Sequence, residues 1–263
     1  MAFLTDHAIC LRKLDYSQTS QLLLLFTQTL GPVKVLAKGA FRRTKKGHSK
    51  FDGGLDLFDL GQAVISHSPQ KELSLLTEWA LEDGHLELRG SIRGLMLAHF
   101  LTEITAETLA AHDPHPQLFL DLAYTIPRLA TPAKEQWALW YLQRTMSESG
   151  FMPDLAACTA CSRPLESVKS VPAAAYVDYL SGFVCASCAD AYPTRQPIDP
   201  RLLRIAATVM TTPTTRLPAL TRHQTDPLIA IYTSHLQYLL SHGLRSAPFV
   251  LPRPAMTDMR QYY

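Results

Sequence analysis

Cys158-Thr-Ala-Cys161 and Cys185-Ala-Ser-Cys188 are two pairs of equal internal spacing with 23 residues between them, and they account for four of the five cysteines. A C-x-x-C turn lets two thiolates converge on one ion. Two such turns supply the four sulfurs, at about 2.3 Å, that a tetrahedral structural zinc takes. With Cys158, Cys161, Cys185 and Cys188 all bound, no position stays open for water, so the expected role of one Zn2+ here is structural and not that of a Lewis acid. Iron suits the same tetrathiolate set, and two disulfides are a further reading. Against disulfides, Met1 to His7 carry no basic stretch followed by an apolar one and a small-residue cleavage site, so the chain is expected in the cytoplasm, where thiols stay reduced. A chain of 263 residues also buries enough core to do without such staples. Cys10, in the apolar segment Ala8-Ile9-Cys10-Leu11, reads as a small buried hydrophobe.

A zinc deaminase would pair H-x-E with a later P-C-x-x-C. His85-Leu86-Glu87 matches the first half, but Ala157 stands where the proline belongs, and the halves lie about 70 residues apart. The second cysteine pair would also have no role. The ten histidines are scattered, with none at ligand spacing to the cysteines. No phosphate-cradling G-x-x-x-x-G-K motif is present either. The residues therefore offer no open-site ligand set for a catalytic metal.

The second concentration of chemistry is charge. Net charge is only +2, yet residues 1–50 hold nine Lys or Arg against Asp6 and Asp15, a net of +7 that leaves −5 for the rest. Seven of the nine lie between Lys34 and Lys50 with no intervening acid: Lys34, Lys38, Arg42, Arg43, Lys45, Lys46 and Lys50. Such a run makes a local positive field in a nearly neutral protein. It reads either as a solvated basic loop or as a nucleic-acid contact. Phe41 and His48 within it, and the strand-like segments around it, favour the second, because bases can stack where phosphates are neutralised.

The elements that must position these residues change character near residue 80. Before it, short apolar segments at Ala8–Leu11, Gln21–Phe26, Val33–Ala37, Leu55–Leu60 and Ala63–Ile65 are broken by Gly31-Pro32, Gly53-Gly54 and Gly61, which predicts four to six strands. A small barrel fits, with the five-stranded OB-fold a frequent nucleic-acid binder; Tudor-like and SH3-like barrels share the pattern. After residue 80 the period is helical. Ser91 is placed to cap a first helix, and Asp113-Pro114 and His115-Pro116 end it. A second helix carries Leu118, Phe119, Leu122, Ile126 and Leu129. Thr131-Pro132, Asp199-Pro200 and Asp226-Pro227 each pair a capping side chain with a proline at the first helical position, predicting three more starts, the last helix closing at Gly243. Trp137, Trp140 and Tyr141 read as core. The cysteine segment interrupts these helices, and Tyr176 to Phe183 within it reads as a hairpin. No apolar run approaches the roughly 18 residues of a membrane span.

These parts together resemble a known family. The barrel passage Gly31-Pro32-Val33-Lys34 through Lys38-Gly39-Ala40-Phe41-Arg42-Arg43, then Gly150-Phe151-Met152-Pro153-Asp154-Leu155 leading into the first cysteine pair, and Gly182-Phe183-Val184 leading into the second, are similar to the RecO family of recombination mediators over residues 3–245. The chain departs from that pattern at Ser181-Gly182, where two glycines are usual, at Gln18-Thr19-Ser20, where an acid is common, and in the tail after Ala247. The resemblance implies an α+β multidomain protein: an N-terminal OB-fold β-barrel (1–80) and a C-terminal helical domain (81–150 and 198–245) with an inserted four-cysteine zinc ribbon (151–197), followed by a tail (246–263). It further implies a cytoplasmic, nucleoid-associated, non-catalytic DNA repair protein. Such a protein binds single- and double-stranded DNA without sequence specificity and anneals complementary strands. It also helps load a recombinase on coated strands, with RecR and the C-terminal tail of single-strand-binding protein as partners. Lys34, Lys38, Phe41, Arg42, Arg43, Lys45, Lys46 and Lys50 are the expected DNA contacts. Two other classes remain beside it: a zinc-ribbon adaptor that binds protein, and a nucleic-acid enzyme with an unrecognised site.

Overall fold

Residues 20–37 alternate between core and surface on either side of the Gly31-Pro32 break, and they fold as two antiparallel strands of a barrel. The computed structural model describes residues 2–41, 50–51, 53–67, 72–165 and 174–251, and its contacts divide the chain into two units, Met1–Thr131 and Pro132–Tyr263.

The first unit contains β1 (Ala2–Ser17), β2 (Ser20–Thr27), β3 (Gly31–Ala37), β4 (Leu60–His67) and β5 (Ser74–Asp83). They close in the order β1-β2-β3-β5-β4, with β1 also pairing β4. Every neighbouring pair is antiparallel except β3 and β5, where Val35, Leu36 and Ala37 run parallel to Ser74, Leu75 and Leu76. This five-stranded closure is the expected OB-like barrel. Inward side chains Ala8, Cys10, Leu23, Leu25, Val33, Val35, Ile65 and Leu76 fill its core, with Phe51, Leu55 and Trp79 packed among them. Each buried Leu, Val or Ile contributes about 1.5–3 kcal/mol. Closure also removes sheet edges that would otherwise seek a partner strand.

Two helices complete this unit, α1 (Ile92–Thr108) and α2 (Pro116–Arg128). Ser91 caps α1 as expected, its hydroxyl accepting from the Gly94 N–H at 3.1 Å. Phe119 of α2 meets Phe26 of β2 edge-on at 5.7 Å, and His99 of α1 meets Phe58 at 4.9 Å. The helices thus cover barrel side chains that point away from its interior.

The second unit is built on α3 (Lys134–Glu148), α5 (Pro200–Thr211) and α6 (Arg222–Leu240), with short helices α4 (Ala186–Ala189) and α7 (Ala247–Val250). Trp137 and Trp140 are core residues, as expected, in edge-to-face contact at 5.8 Å. The buried Gln143 of α3 donates to the Ala206 carbonyl of α5 and to the Tyr232 hydroxyl of α6, fixing three helices at one point. Between α3 and α5 lies a three-stranded sheet, β6 (Ala174–Val177), β7 (Gly182–Val184) and β8 (Gln196–Ile198), ordered β7-β6-β8. Among the described residues no helix is long and apolar enough to cross a membrane.

Several boundaries differ from the sequence reading. Leu55–Leu60 is largely loop, because Phe58 takes a left-handed backbone (φ 72), yet Leu55 still fills the core. Ser74–Asp83, outside the segments that the sequence predicts, is the strand that closes the barrel. Thr131 does not start α3: its hydroxyl donates to the Arg128 carbonyl and finishes α2 instead. Asp226-Pro227 lies inside α6, which begins one turn earlier where the Thr221 N–H donates to the Gln224 side chain at 2.9 Å. The left-handed Ser241, and not Gly243, ends that helix. Asp199 does cap α5, accepting from the Arg201 N–H at 2.8 Å.

Candidate metal centre and nucleic-acid interface

The sulfurs of Cys158, Cys161, Cys185 and Cys188 all lie within 4.8 Å of one another. Local backbone bonding explains the convergence. In the first knuckle the Cys158 N–H donates to the Arg163 carbonyl and the Ser162 N–H to the Cys158 carbonyl, closing a turn that carries both sulfurs on one side. In the second, the Cys188 N–H donates to the Cys185 carbonyl as α4 begins. The knuckles are joined through the Thr159 N–H on the Phe183 carbonyl at 2.8 Å and the Cys185 N–H on the Cys158 sulfur at 3.3 Å. Gly182 makes the junction fit, because a Cβ there would stand 2.1 Å from the Thr159 hydroxyl.

Cys161 and Cys185 sulfurs are 3.8 Å apart. That is the edge of a tetrahedron whose corners lie about 2.3 Å from its centre, and it is nearly twice a disulfide bond of about 2.05 Å. The electrostatics are those of thiols that share protons at close range. Burial opposes ionisation of Cys158, but N–H donors from Cys185, Cys161 and Ala160 outweigh it and bring the thiol down to about 6. Cys188, a donor to the Cys161 and Cys185 sulfurs, is pushed up to about 12. Four thiols this close therefore cannot all ionise unless a positive ion sits among them. The donor set, its spacing and its charge fit a tetrahedral thiophilic metal. A second cluster of ligand atoms, on Asp83, His85 and Glu87, contains no sulfur; the buried His85 ring lies 3.2 Å from the Asp83 carboxylate and 3.7 Å from that of Glu87.

Behind the knuckles the sheet is tied to α6. The Tyr176 hydroxyl meets His235 Nδ1 at 2.5 Å and His235 Nε2 meets the Phe151 carbonyl at 2.7 Å, so both ring nitrogens are used. Ser234 donates to Asp178 at 2.7 Å, and Gln196 of β8 donates to Ser234 at 2.8 Å.

The basic residues belong to the other unit. Lys34 and Lys38 are exposed, Lys34 on the outer face of β3 and Lys38 just past its end, and neither has an ion pair among the described residues. Lys50 is exposed, with Glu78 3.8 Å away. Phe41 is 40% exposed, its ring resting on the backbone of Gly54. Arg42, Arg43, Lys45 and Lys46, and His48 with them, lie outside the described residues. Lys38 and Lys50 line one cleft of about 470 Å³ together with Tyr16, Leu36 and Phe51. Tyr16 is not among the residues that sequence reasoning singles out. It sits at the far end of β1, whose predicted core covers only Ala8–Leu11, and the alternation that would have flagged it is interrupted by a bulge between Asp15 and Ser17.

Two family models match: Recombination protein O N terminal over residues 1–85, and Recombination protein O C terminal over residues 89–248. Among curated proteins, the DNA repair protein RecO of Anaeromyxobacter sp. (strain K) is 28% identical over 192 residues, covering 72% of each chain. That of Rhodopirellula baltica is 32% identical over 184 residues, 69% of this chain and 65% of its own. The relative from Anaeromyxobacter sp. (strain Fw109-5) is 26% identical over 235 residues, 87% of this chain and 89% of its own.

Proposed function

The chain belongs to the RecO family, and from that premise we propose that it is a non-catalytic recombination mediator in DNA repair. It binds single- and double-stranded DNA without sequence preference, anneals complementary strands and, with RecR, helps load a recombinase on strands covered by single-strand-binding protein, whose acidic tail is a second docking partner. The observation that carries this reading is the set of exposed cations at one side of an OB-like barrel, with Lys34 and Lys38 unneutralised among the described residues. Annealing asks for phosphate neutralisation on two strands and not for base-edge reading, and a sequence-independent basic surface suits that task. Lys34, Lys38 and Lys50 are its contacts among the described residues, Phe41 offers a ring edge, and Arg42, Arg43, Lys45 and Lys46, outside the described residues, are contacts proposed from the sequence.

In this reading the barrel (1–80) meets DNA, and it is followed by the helical domain (81–150 and 198–245) with the ribbon (151–197) inserted. Cys158, Cys161, Cys185 and Cys188 would hold one Zn2+, which cross-links the two knuckles and takes no part in a reaction. The residues around it do structural work: Cys185 and Thr159 bind the knuckles together, and Tyr176 and His235 hold the sheet on α6. The work takes place in the cytoplasm, at the nucleoid.

The decisive experiment follows annealing of complementary oligonucleotides coated with single-strand-binding protein, without nucleotide. The native chain should accelerate annealing. A variant with Lys34, Lys38, Arg42, Arg43, Lys45 and Lys46 changed to Glu should not, while keeping its folded signature. Full annealing by that variant removes the basic side of the barrel from the mechanism. Partner binding with no DNA affinity at physiological salt would point to an adaptor instead.

A further inference from the structure

Strand register sorts the outer barrel surface into rows. In β3, Val33, Val35 and Ala37 point inward, so Lys34 and Leu36 point out. In β2, Leu23 and Leu25 are buried while Leu22 and Leu24 are only partly so. Pairing then aligns Leu14 with Leu22 and Leu22 with Leu36, and beside that row Arg12 with Leu24 and Leu24 with Lys34. A leucine row thus crosses three strands next to a row with a cation at each end. Arg12 is engaged by Glu107, which leaves Lys34 as the free charge of the pair among the described residues.

Beyond the leucine row, toward the β1–β2 turn, lies the cleft of about 470 Å³ lined by Tyr16, Leu36, Lys38, Lys50 and Phe51. Its volume falls in the range, roughly 300–1,000 Å³, of sites that take small organic groups. Tyr16 is 67% exposed and Leu14 60%. An exposed aromatic beside exposed aliphatics forfeits burial energy, and here cations flank it on the same surface. One ligand class satisfies both features at once: a polyanion whose planar apolar faces are free. Single-stranded nucleic acid has that character, whereas a duplex keeps its base faces stacked inside and offers phosphates alone. Tyr is well suited to the task, because it presents a π-face acceptable to any base and loses only two torsions on being fixed.

We infer that Tyr16, with the Leu14–Leu22–Leu36 row behind it, is a base-stacking platform for single-stranded DNA, between phosphates held by Lys34 on one side and by Lys38 and Lys50 on the other. The inference rests on the DNA-binding reading above and adds to it a residue and a strand preference. Phe41, whose ring lies against Gly54, is the less exposed of the two aromatics, and Tyr16 is the first stacking position. Tyr16 thereby separates two activities of one surface: cations bind any DNA, and the ring holds only unpaired bases.

The test uses the full chain and two probes, an oligo-dT strand and a blunt duplex of equal length, each titrated at several salt concentrations. Tyr16→Ala should weaken oligo-dT binding about 5- to 150-fold, the range for loss of one base–aromatic stack. Tyr16→Phe should stay within about twofold of the native chain. Duplex affinity should hold within about twofold for both variants, and the salt slope should not move, since no phosphate contact is lost. Tyr16→Trp should show indole quenching with oligo-dT and none with duplex. Native oligo-dT affinity in Tyr16→Ala would overturn the platform and leave the basic surface standing, as would equal losses on both probes. If the native chain bound neither probe, the DNA-binding reading itself would fall. An acidic peptide that depended on Tyr16 more steeply than oligo-dT would reassign the surface to a protein partner.

Discussion

Four sulfurs within 4.8 Å of one another, with one thiol depressed to about 6 and another raised to about 12, make a donor set that could give up its protons together only to a bound cation. Removing one ligand should therefore cost far more than one side chain. Cys161→Ser is expected to lower bound zinc from one equivalent toward none. The lobe has a small apolar core of its own, Ala175, Val177 and Val184, and metal binding of about 10 kcal/mol or more would add the larger part of its folding energy. Amide exchange should then accelerate across β6 and β7 while the barrel strands keep native protection; unchanged exchange in the ribbon after metal loss would refute the structural role. At the same scale, His235 couples the lobe to pH. Burial holds its imidazole below the usual histidine range, against the opposing pull of the Phe151 carbonyl and of Asp178. Its neutral form accepts from Tyr176 and donates to Phe151. A depressed folded pKa means that the unfolded chain takes up the proton first as pH falls. The stabilisation is full above about 6.5 and is lost as pH drops from there through the depressed value. NMR titration of the His235 ring should give a midpoint below that of an exposed histidine, and a midpoint at or above it would refute the assignment.

At the scale of elements, the turn of the ribbon hairpin puts a non-glycine residue in a left-handed conformation. Ser181 is left-handed, with φ 51 and ψ 36, where a glycine is free of the Cβ penalty. Ser181→Gly should therefore stabilise the hairpin by about 0.5–1 kcal/mol, read as a rise in the thermal midpoint of the metal-loaded chain. Gly182→Ala should do the opposite, because its Cβ would enter the Thr159 side chain and part the two knuckles. The contrast shows what kinds of structure the sequence makes legible. Cysteine spacing, the Ser91 and Asp199 caps and the alternation of β2 and β3 act within a few residues, and each can be read directly. Thr131 and Asp226 look like equally good caps, but their competitors are decided elsewhere: by the Arg128 carbonyl, which takes the Thr131 hydroxyl at the end of α2, and by a capping pair one turn upstream. Strand β5 and the place of Tyr16 are illegible for a different reason. Both are defined by which strand lies alongside, a property of closure and register that no local pattern carries.

At the scale of the molecule, charge and contact divide the chain at different points. The first 50 residues carry +7 and the rest −5. If about five of those cations meet phosphates, log K for single-stranded DNA should fall against log salt with a slope of about −3.5. A slope near zero would detach the basic run from binding. The family models meet between residues 85 and 89, whereas the contacts within the chain part between Thr131 and Pro132. The difference has a physical cause, since α1 and α2 cover side chains on the outside of the barrel. Phe26 is fully buried under Phe119, and Phe58 is buried against His99. A fragment ending at residue 85 would expose both rings, at about 1.5–3 kcal/mol each, out of a total stability of about 5–15 kcal/mol for a domain. A fragment of residues 1–131 keeps those contacts. It should unfold cooperatively as a monomer and bind DNA with the salt slope of the full chain. The fragment of residues 1–85 should melt at a markedly lower temperature or self-associate through the uncovered rings. Equal thermal midpoints for the two fragments, with both monomeric in sedimentation, would show that the barrel needs neither helix and that the sequence boundary is also the folding boundary.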